Sequence, residues 1–344
     1  MSAPILSVSD LGVSFATEEG TVRAVDGVSF DLRAGEILAI VGESGSGKSV
    51  TELTVMGLSR GPNTTIEGAV RLGDTDLLEL DDDAMRAVRA ERIAMVFQDP
   101  MTALNPVYRV GDQIVEQIRA HTDASKQEAR ERAIESLRAV GIPNPERRYE
   151  SYPHEFSGGM RQRAMIALAL SLEPEVLIAD EPTTALDVTI QAQILRLLEQ
   201  LNAERGLAVI LITHDLGVVA EVADRTLVMY AGRVVEQGSL DDIFYDPQHP
   251  YTWGLLGSLT RLDRARPARL PSIPGAPPSL ISPPEGCHFR PRCPHEFTKC
   301  IATPPLESRL PEHPAHADRC WLEPEAKRAR RVVEGRVGLV AGAE

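Results

Sequence analysis

The residues Gly42–Ser49 combine the types that can hold a polyphosphate. They fit the pattern G-x-x-x-x-G-K-[ST] and lie between an apolar run, Glu36–Val41, and an apparent helix from about Lys48 to Leu58. In such a loop, consecutive backbone N–H groups turn inward around the phosphates, and the N-terminus of the helix adds partial positive charge. The predicted loop consists of Gly42, Glu43, Ser44, Gly45, Ser46, Gly47, Lys48 and Ser49.

Two side chains at the end of this loop would act directly on the ligand. Lys48 would reach the β- and γ-phosphates, and the Ser49 hydroxyl would bind Mg²⁺. A flexible Gly/Ser turn is the simpler interpretation, but it does not account for the flanking strand and helix. The sequence therefore predicts a nucleoside triphosphate site.

A pair of carboxylates follows a second apolar run, Val176–Glu181, which is typical of a parallel strand buried on both faces. Asp180 would hold the Mg²⁺ that Ser49 also binds, and Glu181 would polarise an attacking water. The alternative is a solvated Asp-Glu turn before Pro182.

Polar residues follow two further predicted strands. Gln98 comes after Ile93–Phe97, and His214 comes after Ala208–Ile212. Because ligands bind at the carboxyl edge of an open α/β sheet, both are candidate site residues, although a structural histidine remains open. Phe15 precedes the phosphate loop and would either stack on a base or belong to the core.

The segment Glu155–Arg161 is a glycine turn in which a serine can cap a helix expected from Met160 to Leu172. Such a capped helix start makes a second anion-binding site.

The remaining elements indicate an α/β sandwich with an antiparallel β subdomain. Residues 5–41 are predicted to be β-structure, with a strand pair around Asp26-Gly27, and a second hairpin is predicted around Ala231-Gly232. Helical periodicity from Val110 to Val140 predicts a helical insertion over about 100–155. An amphipathic helix is predicted over Asp187–Leu201.

Composition limits the function further. The chain has 344 residues and a net charge of −14, which argues against a general nucleic-acid binder. We expect no membrane-spanning helix and no signal peptide, because no long apolar run is present. The four cysteines are confined to Cys287–Cys320.

Taken together, the motifs resemble the ATP-binding subunit of an ABC transporter over about residues 5–240. The resemblance implies a P-loop NTPase cassette with a RecA-like core, an antiparallel β subdomain and a helical subdomain. Six motifs occur in the family's order, namely Gly42–Ser49, Gln98, Phe156–Met160, Asp180-Glu181, Ala185–Asp187 and His214.

The resemblance also implies roles for these residues. Phe15 would stack on adenine, and Glu181 would be the general base. Mg²⁺ would lie among Ser49, Gln98 and Asp180. A second set, Ser157, Gly158, Gly159 and Asp187, would contribute to ATP binding, and the three signature residues would close over ATP held by a partner subunit. Met160 departs from the glutamine that is common in the family, but the Ser-Gly-Gly core is intact.

The tail resembles the C-terminal extension of oligopeptide and dipeptide importer ATPases, through His249–Leu256, Ile273–Pro278 and the cysteines. We expect a cassette over 1–245, the cysteine-containing, loop-rich extension over 246–325 and a flexible tail over 326–344. Residues 267–284 are expected to be a semi-rigid linker, and the basic run Lys327–Arg331 a solvated face.

Cys287, Cys293, Cys300 and Cys320 contain no Cys-x-x-Cys unit, so a tetrahedral zinc module fits poorly. By resemblance to some importer ATPases, a [4Fe–4S] cluster is the first expectation. Zinc, free thiols and a disulfide remain alternatives.

The resemblance implies an ATPase bound to the cytoplasmic face of the membrane, powering import of di- and oligopeptides. Its partners would be a second, different ATPase subunit, two permease subunits and, indirectly, an extracytoplasmic binding protein, with no nucleic acid. Three alternatives remain open. The chain could serve an importer of nickel or glutathione, act as an ABC ATPase in DNA repair or translation, or be a regulatory nucleotide-binding module without turnover.

Overall fold

The computed structural model describes residues 3–99, 103–184, 186–258 and 272–333. The chain forms two compact units. The first unit comprises Met1–Leu6, Asp31–Ile37 and Arg71–Ile212, and the second comprises Ser7–Phe30, Leu38–Val70 and Thr213–Glu344. Since Pro100–Thr102 and Ala185 lie outside the described residues, the predictions that fall on them are not addressed further.

Strands and helices alternate through most of the chain. The strands are β1 Leu6–Thr17, β2 Gly20–Leu32, β3 Ile37–Val41, β4 Thr64–Leu72, β5 Thr75–Asp76, β6 Ile93–Val96, β7 Val176–Asp180, β8 Ala208–Thr213, β9 Arg225–Tyr230, β10 Arg233–Ser239 and β11 Ala317–Asp318. The helices are α1 Lys48–Val55, α2 Asp82–Glu91, α3 Val110–His121, α4 Lys126–Ala139, α5 Pro145–Arg148, α6 Gly158–Ala169, α7 Val188–Arg205, α8 Leu216–Val222, α9 Leu240–Tyr245, α10 Pro250–Gly257 and α11 Pro324–Val333.

The first unit is built on the parallel strands β6, β7 and β8. Ile93 is level with Val176 in one pairing, and Val176 is level with Ala208 in the other. All of β6 and the first four residues of β7 are buried, as expected for strands covered on both faces. Helices α3, α4 and α5 lie in the segment predicted to be a helical insertion, and α4 begins with a capping box between Ser125 and Glu128.

The second unit contains β3, which pairs in parallel with β9, and the antiparallel strands β10 and β11. The predicted hairpin around Ala231-Gly232 is confirmed, because Arg233 pairs with Tyr230 across a turn in which both central residues have positive φ. In a second sheet, β1 lies between β2 and β4.

One predicted turn is wrong. Asp26-Gly27 does not separate two strands but lies inside the continuous strand β2. Gly27 adopts a φ of 68° within this strand, and the Asp26 carboxylate pairs with Arg233 at 2.7 Å. The conformational freedom of glycine is therefore used for an irregularity in the strand rather than for a hairpin.

The prediction of a solvated basic run is wrong for Lys327 and Arg331, which are buried, whereas Arg328 and Arg330 are exposed. Residues 326–333, expected to start the flexible tail, continue helix α11, whereas residues 334–344 lie outside the described residues. Lys327 is fully buried and binds Asp318 with Nζ–Oδ1 at 2.7 Å, while Arg328 and Arg331 both bind Asp246. Three cations of the run thus have carboxylate partners.

Several predicted helix ends shift by a few residues. Helix α1 stops at Val55 instead of Leu58, and Gly57 has a φ of 65° just beyond it. Helix α6 starts two residues earlier than predicted, at Gly158. Among the described residues, no helix is long and apolar enough to cross a membrane.

Candidate nucleotide-binding site

The phosphate loop requires glycine at defined positions. Gly47 has a φ of 103°, and a Cβ placed there would lie 2.5 Å from the carbonyl oxygen of Ala24. A Cβ on Gly42 would lie 2.2 Å from the carbonyl oxygen of Met229. Neighbouring backbone therefore packs directly against the loop, and no larger residue fits at these two positions.

Lys48 closes the loop from the inside. Its side chain is buried, and Nζ donates hydrogen bonds to the carbonyl oxygens of Gly42 at 2.7 Å and Glu43 at 3.1 Å. Ser49 follows on the first turn of α1 and is exposed. The loop thus places a cation and a hydroxyl oxygen beside the N-terminus of a helix, where backbone N–H groups have no intrahelical acceptor.

In the first unit, the structure brings Gln98 and Glu181 together. Gln98 Nε2 and Thr184 Oγ1 each donate to Glu181 Oε2 at 2.9 Å. Glu181 itself has a φ of 44°, which is unusual for a residue with a side chain, and its N–H donates to Ile212 O at 2.9 Å. Backbone strain of this kind is concentrated at functional sites, so Glu181 is a candidate site residue on structural grounds as well.

Asp180 is the last residue of β7 and is half-buried, opposite Ile212 in the neighbouring strand. Its carboxylate and the Ser49 hydroxyl are the hard oxygen ligands that Mg²⁺ prefers. The chemistry of these donors therefore fits the metal.

The predicted signature residues lie at the start of α6. The exposed Ser157 caps the helix by accepting from Met160 N at 3.3 Å. Gly159 is buried, and a Cβ there would lie 2.7 Å from Ile190. Asp187 is exposed and caps α7 by accepting from Ile190 N at 3.0 Å. The cap at Ser157 was predicted from the sequence pattern, the cap at Asp187 was not, and Gly159 allows close packing against Ile190.

Each unit contains some of the candidate residues. The first unit contains Gln98, Ser157, Gly158, Gly159, Asp180, Glu181 and Asp187, and the second contains Phe15, Gly42–Ser49 and His214. Phe15 is half-buried on β1, and His214 is exposed just after β8. Because Phe15 is only half-buried, the alternative that it is a core residue is less favoured than stacking on a base.

Sequence reasoning missed what holds Glu43. The Glu43 carboxylate pairs with Arg292, with Nη1–Oε2 at 2.7 Å and Nη2–Oε1 at 3.2 Å. Its backbone N–H donates to Tyr251 Oη at 2.9 Å. These partners are more than 200 residues away in the chain, so no local pattern could have revealed them.

The four cysteines line one small cavity, together with aromatic residues that include Phe289 and Trp321. Burial raises the pKa of Cys293 and of Cys320 to about 12. Within the described ranges, no group of three or more His, Cys, Asp or Glu side chains is placed to hold a single metal ion. Burial therefore favours the protonated thiol at Cys293 and Cys320.

Comparison with known proteins agrees with this geometry. Residues 25–184 match the family model described as "ABC transporter", and residues 235–300 match "Oligopeptide/dipeptide transporter, C-terminal region". The dipeptide transport ATP-binding protein DppD of Bacillus subtilis is 54% identical over 93% of this chain and 95% of its own length. The oligopeptide transport ATP-binding protein OppD of Salmonella typhimurium is 53% identical over 89% of this chain and 91% of its own.

A solved structure is similar at the level of the cassette. The ATP-binding cassette MJ0796, in a dimeric post-hydrolysis state with ADP and phosphate, aligns with a TM-score of 0.61 and 30% identity, covering 68% of this chain and 98% of that one. Together with the phosphate loop and the two carboxylates at the end of β7, this likeness defines an ATP-hydrolysing ABC cassette. The chain belongs to the ABC transporter ATP-binding proteins of the oligopeptide/dipeptide family.

Proposed function

We propose that this chain hydrolyses ATP to power the import of dipeptides and oligopeptides through a membrane-embedded transporter. The observation that carries the proposal is the presence, in one chain, of the phosphate loop and of a C-terminal region that matches the peptide-importer family. The names of the relatives support peptides as the transported class.

The site residues are assigned roles within this proposal. Lys48 binds the β- and γ-phosphates, and Phe15 stacks on the adenine. Glu181 accepts a proton from the attacking water, while Gln98 orients the Glu181 carboxylate and His214 contacts the γ-phosphate. The roles of Glu181 and Gln98 are supported by the hydrogen bond from Gln98 to Glu181 and by the strained backbone at Glu181.

Mg²⁺ would be held by Ser49, Asp180 and Gln98, and it would neutralise charge on the phosphates. Ser157, Gly158 and Gly159 would face ATP bound to a second cassette, in a heterodimer, and Asp187 would contribute to ATP binding. The exposure of Ser157 and the dimeric state of the solved cassette support this arrangement.

The cysteine cavity would hold a [4Fe–4S] cluster through Cys287, Cys293, Cys300 and Cys320. The support for this assignment is that all four thiols line one cavity, as ligation of a cluster by four cysteines requires. Anaerobic purification followed by metal analysis tests this assignment. About four iron atoms per chain are expected, whereas one zinc per chain or no metal would contradict it.

The wider assembly follows from the family. Two permease subunits would anchor the chain at the cytoplasmic face of the membrane, and an extracytoplasmic binding protein would deliver peptides. Within this proposal, the cassette would span residues 1–245, with its helical subdomain over about 100–155, and the extension would span 246–325.

Transport in membrane vesicles that contain the assembled transporter tests the function. Labelled di- and tripeptides should accumulate only with ATP, and Glu181→Gln should abolish accumulation. Competition by nickel or glutathione, with no competition by peptides, would contradict the peptide assignment and favour a related importer. Hydrolysis stimulated by nucleic acid, with no uptake of any solute, would contradict the importer as a whole.

A further inference from the structure

Arg292 is held rigidly against the phosphate loop. Its side chain is only 5% exposed, and both Nη atoms bind the Glu43 carboxylate. Nε donates to Pro274 O at 2.9 Å, Nη2 to Ile273 O at 3.3 Å and Nη1 to Tyr230 Oη at 3.3 Å. All three guanidinium nitrogens therefore have acceptors, which fixes the plane of the group.

Glu43 is held on three sides. The Arg292 guanidinium binds its carboxylate, the Tyr251 hydroxyl accepts from its N–H, and Lys48 Nζ donates to its carbonyl oxygen at 3.1 Å. The first two partners belong to the C-terminal part of the chain, and the third is the lysine of the phosphate loop. The position of the loop backbone at Glu43 is therefore shared between the extension and the phosphate-binding lysine.

The elements that hold Arg292 and Tyr251 are themselves firmly packed. Tyr251 is fully buried, and its ring lies 4.6 Å from Tyr230 and 5.5 Å from Phe289, measured between centroids. Phe289 lies between Cys287 and Cys293 in sequence and lines the cysteine cavity. Arg292 directly precedes Cys293. The walls of that cavity are thus continuous with the contacts on Glu43.

Charge gives the pair a direct effect on nucleotide binding. Glu43 is a carboxylate within a loop that binds an anionic ligand, so an unpaired Glu43 would repel the phosphates. The bidentate contact with Arg292 neutralises this charge.

From this geometry we propose that Arg292 and Tyr251 are positioning residues for the phosphate loop, through which the cysteine-bearing extension sets the affinity for ATP. The inference rests on the proposal that Gly42–Ser49 holds the phosphates. It assigns to the extension a role in the ATPase reaction itself.

Steady-state ATP hydrolysis by the full-length chain in its assembled transporter tests the proposal. Arg292→Met should raise KM for ATP about tenfold, because it leaves the Glu43 carboxylate unpaired, whereas kcat should change less than about twofold. Arg292→Lys, which keeps the charge but not the fork, should give an intermediate KM. Tyr251→Phe should raise KM about threefold by removing the acceptor of the Glu43 N–H.

A double-mutant cycle separates positioning from mere folding. Removing the carboxylate as well, with Glu43→Gln, should return KM of the Arg292→Met variant to that of Glu43→Gln alone. Independent effects of the two substitutions would overturn the proposal. Arg290→Met is the matched control, because Arg290 lies in the same turn as Arg292 but pairs with Glu296 at 3.6 Å. The KM of this variant for ATP should equal that of the wild type.

Two further outcomes keep the test decisive. If Arg292→Met does not fold, Arg292→Lys and Tyr251→Phe carry the test, and a wild-type KM in both would overturn the proposal. Lys48→Ala should abolish ATP binding. If Lys48→Ala binds ATP normally, the assignment of the phosphate loop fails. If Lys48→Ala loses ATP binding but KM is unchanged in Arg292→Lys and Tyr251→Phe, only the role of the extension is overturned.

Discussion

Gln98 Nε2 donates a 2.9 Å hydrogen bond to Glu181 Oε2 and so joins the segments that follow two adjacent parallel strands. Thr184 Oγ1 donates to the same oxygen at the same distance. Two donors on one oxygen hold the Glu181 carboxylate in a defined position, as the proposed role of Glu181 as general base requires.

Glu181→Gln should lower the rate of ATP hydrolysis by about 100-fold to 1000-fold, because the amide cannot accept a proton. Binding of ATP should be retained, since the phosphate loop is unchanged. Phosphate release and the affinity for a fluorescent ATP analogue measure the two effects. Thr184→Val is the control, because it removes one donor while keeping the carboxylate, and it should cost less than about tenfold in rate. Wild-type turnover by Glu181→Gln would exclude Glu181 as the base.

Gly47→Ala should destabilise the protein by about 2–4 kcal/mol, because the added Cβ meets Ala24 O at 2.5 Å and the residue must keep a φ of 103°. Urea unfolding measures this change. Gly206→Ala is a matched control, since Gly206 also has a positive φ, 65°, but open space around it. It should cost only about 1 kcal/mol, and equal losses in the two variants would show that the clash plays no part.

Lys327→Met should destabilise the chain by about 3–5 kcal/mol, because it leaves Asp318 buried without its cation. Thermal unfolding provides the measurement. Adding Asp318→Asn should recover part of the loss, because the uncompensated charge is then removed. Arg330→Met serves as the surface control, since Arg330 is exposed on the same helix. A similar small loss in Lys327→Met and Arg330→Met would contradict the buried pair.

His316 should make stability depend on pH. Burial lowers its pKa, but Glu236, with Nε2–Oε1 at 2.8 Å, and the nearby Asp242 and Asp318 outweigh burial and raise the pKa above 6.5. Lys327, which binds Asp318, offsets part of that negative charge. A raised pKa means that the stabilisation is complete below about pH 6.5 and is lost as the pH rises through the pKa of the folded state.

Urea midpoints between pH 6 and 9 measure this dependence. Above about pH 6.5 the wild type should lose up to about 1.4 kcal/mol of unfolding free energy per pH unit from this one group. His316→Gln should remove that part of the slope. His313→Gln, at an exposed histidine on Asp242, should leave it in place. Equal slopes in wild type and His316→Gln would refute the role of His316.

The sequence alone predicted the features that depend on residues close together in the chain. The phosphate loop needs glycine, lysine and a helix start within eight residues, and the hairpin at Ala231-Gly232 needs only two residues with positive φ. The carboxylates after β7 were predictable because a buried parallel strand has a recognisable apolar run.

Long-range pairing was not predictable from such patterns. Asp26-Gly27 has the sequence of a hairpin turn, yet Asp26 is held by Arg233, 207 residues away. The basic run Lys327–Arg331 has the composition of a solvated face, but Asp318 and Asp246 provide partners that only the folded chain brings near. The contact between Glu43 and Arg292 likewise depends on the tertiary fold.

The aromatic packing of Tyr230, Tyr251 and Phe289 has a consequence for biosynthesis. Because a ribosome delivers the chain from its N-terminus, the phosphate loop emerges more than 200 residues before the side chains that hold Glu43. Ala39, Val41 and Tyr230 share one hydrophobic cluster with Tyr251 and Phe289, so this part of the core is incomplete until Phe289 has been made. The nascent chain therefore exposes apolar surface during translation, and the contacts on Glu43 form only after Arg292 has been made.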